Sequence, residues 1–93
     1  MDIYDVNLST NAKKNLRKVP VYIVTKLQSW IDAVKHQGLN EVRKVPGYHD
    51  EPLQGKRIGQ RSIRLNRSYR AIYSIQKDLI EFVEIEEVTN HEY

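Results

Sequence analysis

Ninety-three residues with a formal charge of +3 and no cysteine leave room for one domain. They exclude disulfide staples, thiolate metal sites and cysteine nucleophiles. With 40% apolar residues the chain is expected to be globular, and its opening MDIYDVNLS and the lack of any run near the roughly 18 apolar residues of a membrane span point to a cytoplasmic domain, 1–93, without a membrane partner.

Residues 3–8 (IYDVNL) alternate, with Tyr4, Val6 and Leu8 on one side, and predict a short first strand. Ser9, Thr10 and Asn11 are candidate helix caps, because their side-chain oxygens accept from orphan backbone N–H groups. A first helix over residues 11–18 carries Ala12 and Leu16 on one face and must stop or bend before Pro20. Proline suits the first turn of the next helix. There Val24, Leu27, Ile31 and Val34 recur at helical spacing, flanked by Ile23 and Trp30, and Gly38 is the natural stop. One more helical turn is expected within residues 39–44. Residues 46–59 hold two prolines and three glycines and are expected to form a long, partly ordered loop. Strands are predicted over residues 60–66, 69–76 and 80–88, joined by short gaps as an antiparallel meander. The fold class is therefore α+β: a small antiparallel sheet of about four strands, with two N-terminal helices packed on one face.

The period of two assigns faces to these strands. Ile63 and Leu65 oppose Ser62, Arg64 and Asn66, and Ala71, Tyr73 and Ile75 oppose Arg70, Ile72 and Ser74. In the last strand Val83 and Ile85 are taken as core, against Phe82, Glu84 and Glu86. If the helices cover Ile63 and Leu65, then Arg64 and Arg70 lie on the open face.

Charge is segregated along the chain. Residues 51–77 hold seven Lys/Arg against one acid, a formal +6, whereas residues 78–93 hold six acids and no Lys/Arg, a formal −6. A dense arginine cluster beside a carboxylate suits work on a phosphate backbone. Cutting RNA through its own 2′-OH needs a base for that hydroxyl, an acid for the 5′-oxygen and cations for the phosphorane. Each candidate also has a plainer role. Arg61, Arg64, Arg67 and Arg70 could instead pair across strands with Glu81, Glu84, Glu86 and Glu87. Glu51 could be a solvated turn residue, and His36 and His91 idle surface residues; His49, beside Asp50 and Glu51, is a reserve catalytic candidate. The HDE run does not make a metal site, because consecutive loop side chains diverge, and GKR at 55–57 lacks the remainder of a P-loop.

The run DEPLQGKRIGQRSIRLNRSYRAIY at 50–73, followed by a strand and a terminal NHEY, resembles the toxin subunits of type II toxin–antitoxin systems. The resemblance is to those of the RelE/ParE superfamily, and the HigB-like and YoeB-like ribonucleases are the most similar in flavour. The resemblance covers essentially the whole chain. It implies a RelE/ParE-like domain acting as a ribosome-dependent mRNA endonuclease, with ribosome and mRNA as targets, a cognate antitoxin as partner and no cofactor or metal. By the same resemblance Glu51 matches the catalytic carboxylate, and Arg64 and Arg70 match the arginines on the scissile phosphate. His91 and Tyr93 match the terminal catalytic pair, though here Glu92 intervenes. His91 would serve as acid if Glu87 and Glu92 keep it protonated. Lys56, Arg57 and Arg61 are expected, with Arg64, to hold RNA phosphates. The alternative from the ParE branch is a non-catalytic toxin that inhibits DNA gyrase by binding it, which needs none of the set Glu51, Arg64, Arg70 and His91.

Overall fold

The computed structural model describes residues 2–90. Five strands form one sheet in the order β1-β5-β4-β3-β2: β1 Val6–Leu8, β2 Glu51–Pro52, β3 Gln60–Arg64, β4 Arg70–Lys77 and β5 Glu81–Thr89. The meander β3-β4-β5 is antiparallel, as its short connections require. Two features extend it. β1 pairs with β5 in parallel, Val6 opposite Val83 and Leu8 opposite Ile85, which makes the sheet mixed. The expected loop over residues 46–59 contributes a further strand, β2, on the other edge, between short 3-10 turns at Pro46–Tyr48 and Gly55–Arg57.

Helix α1 (Thr10–Leu16) begins where Ser9 Oγ accepts from the Ala12 N–H at 3.0 Å. The same hydroxyl donates to the Glu86 carbonyl at 2.9 Å, and Asn11 Nδ2 reaches that carbonyl at 3.2 Å. Asn15 Oδ1 in turn accepts from the Val88 N–H at 3.0 Å. These bonds matter because the register between β4 and β5 slips here: Tyr73 faces Ile85, whereas Ile72 faces Glu87, so Glu86 is the extra residue of a β-bulge. A bulge leaves backbone groups out of the ladder, and α1 supplies partners for them. The slip also changes the phase of burial. Val83, Ile85 and Val88 enter the core, rather than the strict alternation 83, 85, 87.

Helix α2 (Val21–Gln37) starts after Pro20 and buries Ile23, Leu27, Trp30, Ile31 and Val34. Its apolar stripe is centred on Ile23 and Trp30, not on Val24, which is 37% exposed. Trp30 and Tyr73 meet with ring centroids 5.3 Å apart and planes tilted by 44°, in the middle of a single cluster of helix and sheet residues. None of the helices among the described residues is long and apolar enough to cross a membrane.

Gly38 separates α2 from the short α3 (Leu39–Val42) with φ +88° and ψ 152°, a region open essentially to glycine alone. Asp2 sits against it, its Oδ1 accepting from the Ile3 N–H at 2.7 Å and the Asn40 N–H at 3.0 Å. A Cβ on Gly38 would strike that carboxylate. Gly38→Ala should therefore lower stability by about 2–3 kcal/mol, or roughly 10–20 °C in Tm. A thermal melt unchanged from the parent would contradict this account of the α2–α3 corner.

Candidate active site

Residues opposite one another in adjacent strands project to the same side of a sheet. On the side away from the helices this rule builds rows, three of which bear on the site. Glu51, Ser62, Ile72 and Glu87 form one; Arg64, Arg70 and Thr89 form the next; Gln60, Ser74 and Glu84 form the third. Arg64 and Arg70 are thus direct cross-strand neighbours on the open face. Two like charges side by side are unfavourable in isolation, which marks the position as one that an anion would relieve.

The turn between β3 and β4 fixes this pair. Asn66 Oδ1 accepts from the N–H groups of Ser68 and Tyr69 at 2.8 and 2.7 Å, and the Leu65 N–H donates to the Tyr69 carbonyl at 2.9 Å. Arg64 Nε donates to the Asn66 carbonyl at 3.3 Å. Arg70 Nη1 donates to the buried Ser62 Oγ at 3.2 Å and lies 4.0 Å from Glu51 Oε1. The Arg70 side chain is only 26% exposed, whereas that of Glu51 is 60% exposed. The Glu51 carboxylate and the Arg70 guanidinium therefore lie together over a dry floor, for Ile72 is fully buried outside the helix-side core cluster, and Arg64 is the cross-strand partner of Arg70.

The other sequence candidates divide. Arg57, from the 3-10 turn, pairs with Glu87 at 3.0 Å and reaches Gln60 Oε1 at 3.4 Å, while Gln60 Nε2 donates to Glu86 Oε2 at 2.8 Å. Glu87, expected to support His91, is thus engaged by Arg57, and Arg57 already has one anion beside it. Lys56 is exposed next to it. Arg61 is a correction. It shares the parity of Ile63, projects to the helix side and binds Asp50 Oδ1 through Nε at 2.6 Å, so its guanidinium is turned away from Arg64 and Arg70. His49 is exposed, with left-handed φ of 45°. His91 and Tyr93 lie outside the described residues. Among the described residues no group of His, Cys, Asp and Glu is placed to hold a metal ion.

Sequence reasoning did not single out Ser62 or the Asp50–Arg61–Tyr73 cluster. Ser62 had a signal, since alternation already put it on the face of Arg64. The cluster had only the adjacency of Asp50 to Glu51.

Neither a protein-family model nor a curated protein sequence matches the chain. Solved structures do. YafQ from E. coli strain BL21(DE3) superposes with a TM-score of 0.74 at 18% identity, over 94% of this chain and 92% of its own. A YoeB/ParE toxin from Agrobacterium tumefaciens gives a TM-score of 0.69 at 17% identity, over 95% and 99%. The toxin–antitoxin complex RelBE2 from Mycobacterium tuberculosis contributes a chain with a TM-score of 0.68 at 23% identity, over 96% and 99%. This chain has the RelE/ParE toxin fold. Within that fold the arginine pair and Glu51 stand on the side of the sheet that α1 and α2 leave open.

Proposed function

We propose that this chain is the toxin of a type II toxin–antitoxin pair and cleaves mRNA on the ribosome by attack of a ribose 2′-OH on the adjacent phosphorus. The observation that carries the reading is the juxtaposition of Arg64, Arg70 and Glu51, with Arg70 Nη1 4.0 Å from the Glu51 carboxylate. Arg64 and Arg70 hold the scissile phosphate, and their contacts strengthen as charge builds on the phosphorane. Glu51 takes the 2′-OH proton. The 2′-oxygen forms its bond to phosphorus as the bond to the 5′-oxygen breaks, leaving a 2′,3′-cyclic phosphate and a 5′-hydroxyl. The proton on that leaving oxygen is assigned to His91, with Tyr93 as the second terminal candidate; they lie two and four positions after Thr89, the register partner of Arg70. Lys56 and Arg57 hold flanking phosphates, Arg57 by exchanging Glu87 for RNA.

Expression in cells followed by primer extension on mRNA tests this directly. Discrete cleavage sites that vanish with Arg70→Ala are expected. Growth inhibition without any cleavage would transfer the weight to gyrase binding.

The partner is an antitoxin with acidic residues facing the basic segment 56–70. The DinJ–YafQ and RelBE2 structures are toxin–antitoxin complexes of this fold. Acidic complementarity speeds encounter in a salt-dependent way. The association rate should fall roughly tenfold between low and high salt; a rate indifferent to salt would remove the electrostatic part of this proposal.

A further inference from the structure

The edge strand that presents Glu51 is two residues long, begins beside a left-handed His49 and contains a proline. Its ladder alone gives little to hold a carboxylate in one place. The Glu51 side chain adds nothing: it is largely exposed, and its nearest charged partner among the described residues is Arg70, at 4.0 Å. What anchors the segment lies on the other side of the sheet. The Asp50 side chain is wholly buried there. Its Oδ1 accepts from Arg61 Nε at 2.6 Å and its Oδ2 from the Tyr73 hydroxyl at 2.6 Å, so both oxygens are bound. Arg61 Nη2 also reaches the Asp50 carbonyl at 3.4 Å. Tyr73 is itself fully buried against Trp30. Burial, and then its bond to Asp50, hold the Tyr73 phenol well above the usual tyrosine range, so it stays a donor.

Neighbouring residues in extended chain point to opposite faces. Locking Asp50 on the helix side therefore sends Glu51 to the open side, into register with Ser62 and next to Arg70. We propose that Asp50, Arg61 and Tyr73 form a clamp through the sheet that positions Glu51 for catalysis. The inference rests on the nuclease reading for Glu51's role, but the clamp itself is a statement about β2. The three are positioning residues, since none of them touches the open face. A buried carboxylate is costly unless each oxygen is paired, so the arrangement is a demanding way to hold a surface loop, and one that fixes geometry.

The test compares Tyr73→Phe and Asp50→Asn with the parent chain. Tyr73→Phe removes one oxygen and keeps the ring against Trp30, so it remains informative if Asp50→Asn does not fold. Misplacement of a reacting group by about 1 Å can cost about 10²-fold in rate. The cleavage rate constant should fall about tenfold in Tyr73→Phe and about 100-fold in Asp50→Asn, with RNA affinity within about threefold of the parent. In a Glu51→Gln background the same changes should alter the rate less than about twofold, because the group they position has gone. A merely structural cluster would not show that dependence on Glu51. Independently of activity, hydrogen exchange at the Leu53 amide, which donates to the Gln60 carbonyl at 2.9 Å, reports opening of the β2 edge. Its protection should drop in both variants while that of Ala71 in the centre of the sheet is kept. Unchanged Leu53 protection overturns the clamp, as does a parent-like rate in an active chain or an equal loss with and without Glu51. A parent that cuts no RNA overturns the nuclease reading alone, and the exchange result still decides the clamp.

Discussion

Arg70→Ala should reduce RNA cleavage by about 10²–10³-fold, the usual cost of removing a preorganised donor from a developing negative charge. Its guanidinium is held by Ser62 at 3.2 Å and is three-quarters shielded, so its charge is not diluted by water as a surface lysine's would be. The fold should barely notice. The contact with Glu51 is 4.0 Å long and its acid is mostly exposed, a kind of pair worth at most about 1 kcal/mol. Arg70→Lys should recover only part of the rate, because an ammonium offers one point charge where the fork makes two parallel bonds. Arg67 lies on the exposed turn between β3 and β4 and is the natural control; Arg67→Ala should cut as the parent does. A single-turnover assay on ribosome-bound mRNA separates these outcomes. An Arg70→Ala chain with the parent's rate would mean that this face is not where phosphate is bound.

How much of this is legible in the sequence varies with the range of the interaction that decides it. Trp30, Leu27, Ile31 and Val34 announce α2 because helical periodicity is local, and the stripe shifts by one position only because Ile23 competes with Val24. Alternation correctly separates Ile63 and Leu65 from Ser62 and Arg64. Arg61 has the parity of Ile63. Grouping Arg61 with the phosphate binders by charge went against that parity, and Asp50 shows why an arginine can face inward. The bulge at Glu86 could not be read, since nothing local distinguishes Glu86 from Glu87; α1 makes it tolerable through Ser9, Asn11 and Asn15. Strand β2 was likewise hidden. Two residues with a proline carry no strand signal, and what secures them is a buried carboxylate binding residues 11 and 23 positions away. The pairing of β1 with β5 joins segments more than 70 residues apart and has no local trace either. The fold superposes on solved structures at 17–23% identity, where sequence matching finds nothing. Topology survives on apolar pattern, which many sequences satisfy.

Glu51→Gln should have the other large effect, a loss of about 10²–10⁴-fold in the chemical step, as expected when a positioned base can no longer take a proton. Glutamine keeps the length and shape of the side chain, so the β2 register with Ser62 and the clamp at Asp50 should both persist. Stability should change by less than about 0.5 kcal/mol, the usual range for a surface substitution. Binding should move the opposite way to rate. Glu51 puts a negative charge 4.0 Å from Arg70, the arginine proposed to hold the phosphate. Neutralising it removes both a competitor for Arg70 and a repulsion on the incoming anion, so RNA affinity should be equal or tighter. Slow cutting combined with undiminished binding is the signature of a lost base. Weaker binding with the same loss would instead make Glu51 an organiser of the arginines. If Glu51→Gln cuts at the parent's rate, the proton must leave the 2′-OH by another route, and the arginine pair then stands as a phosphate site without its base.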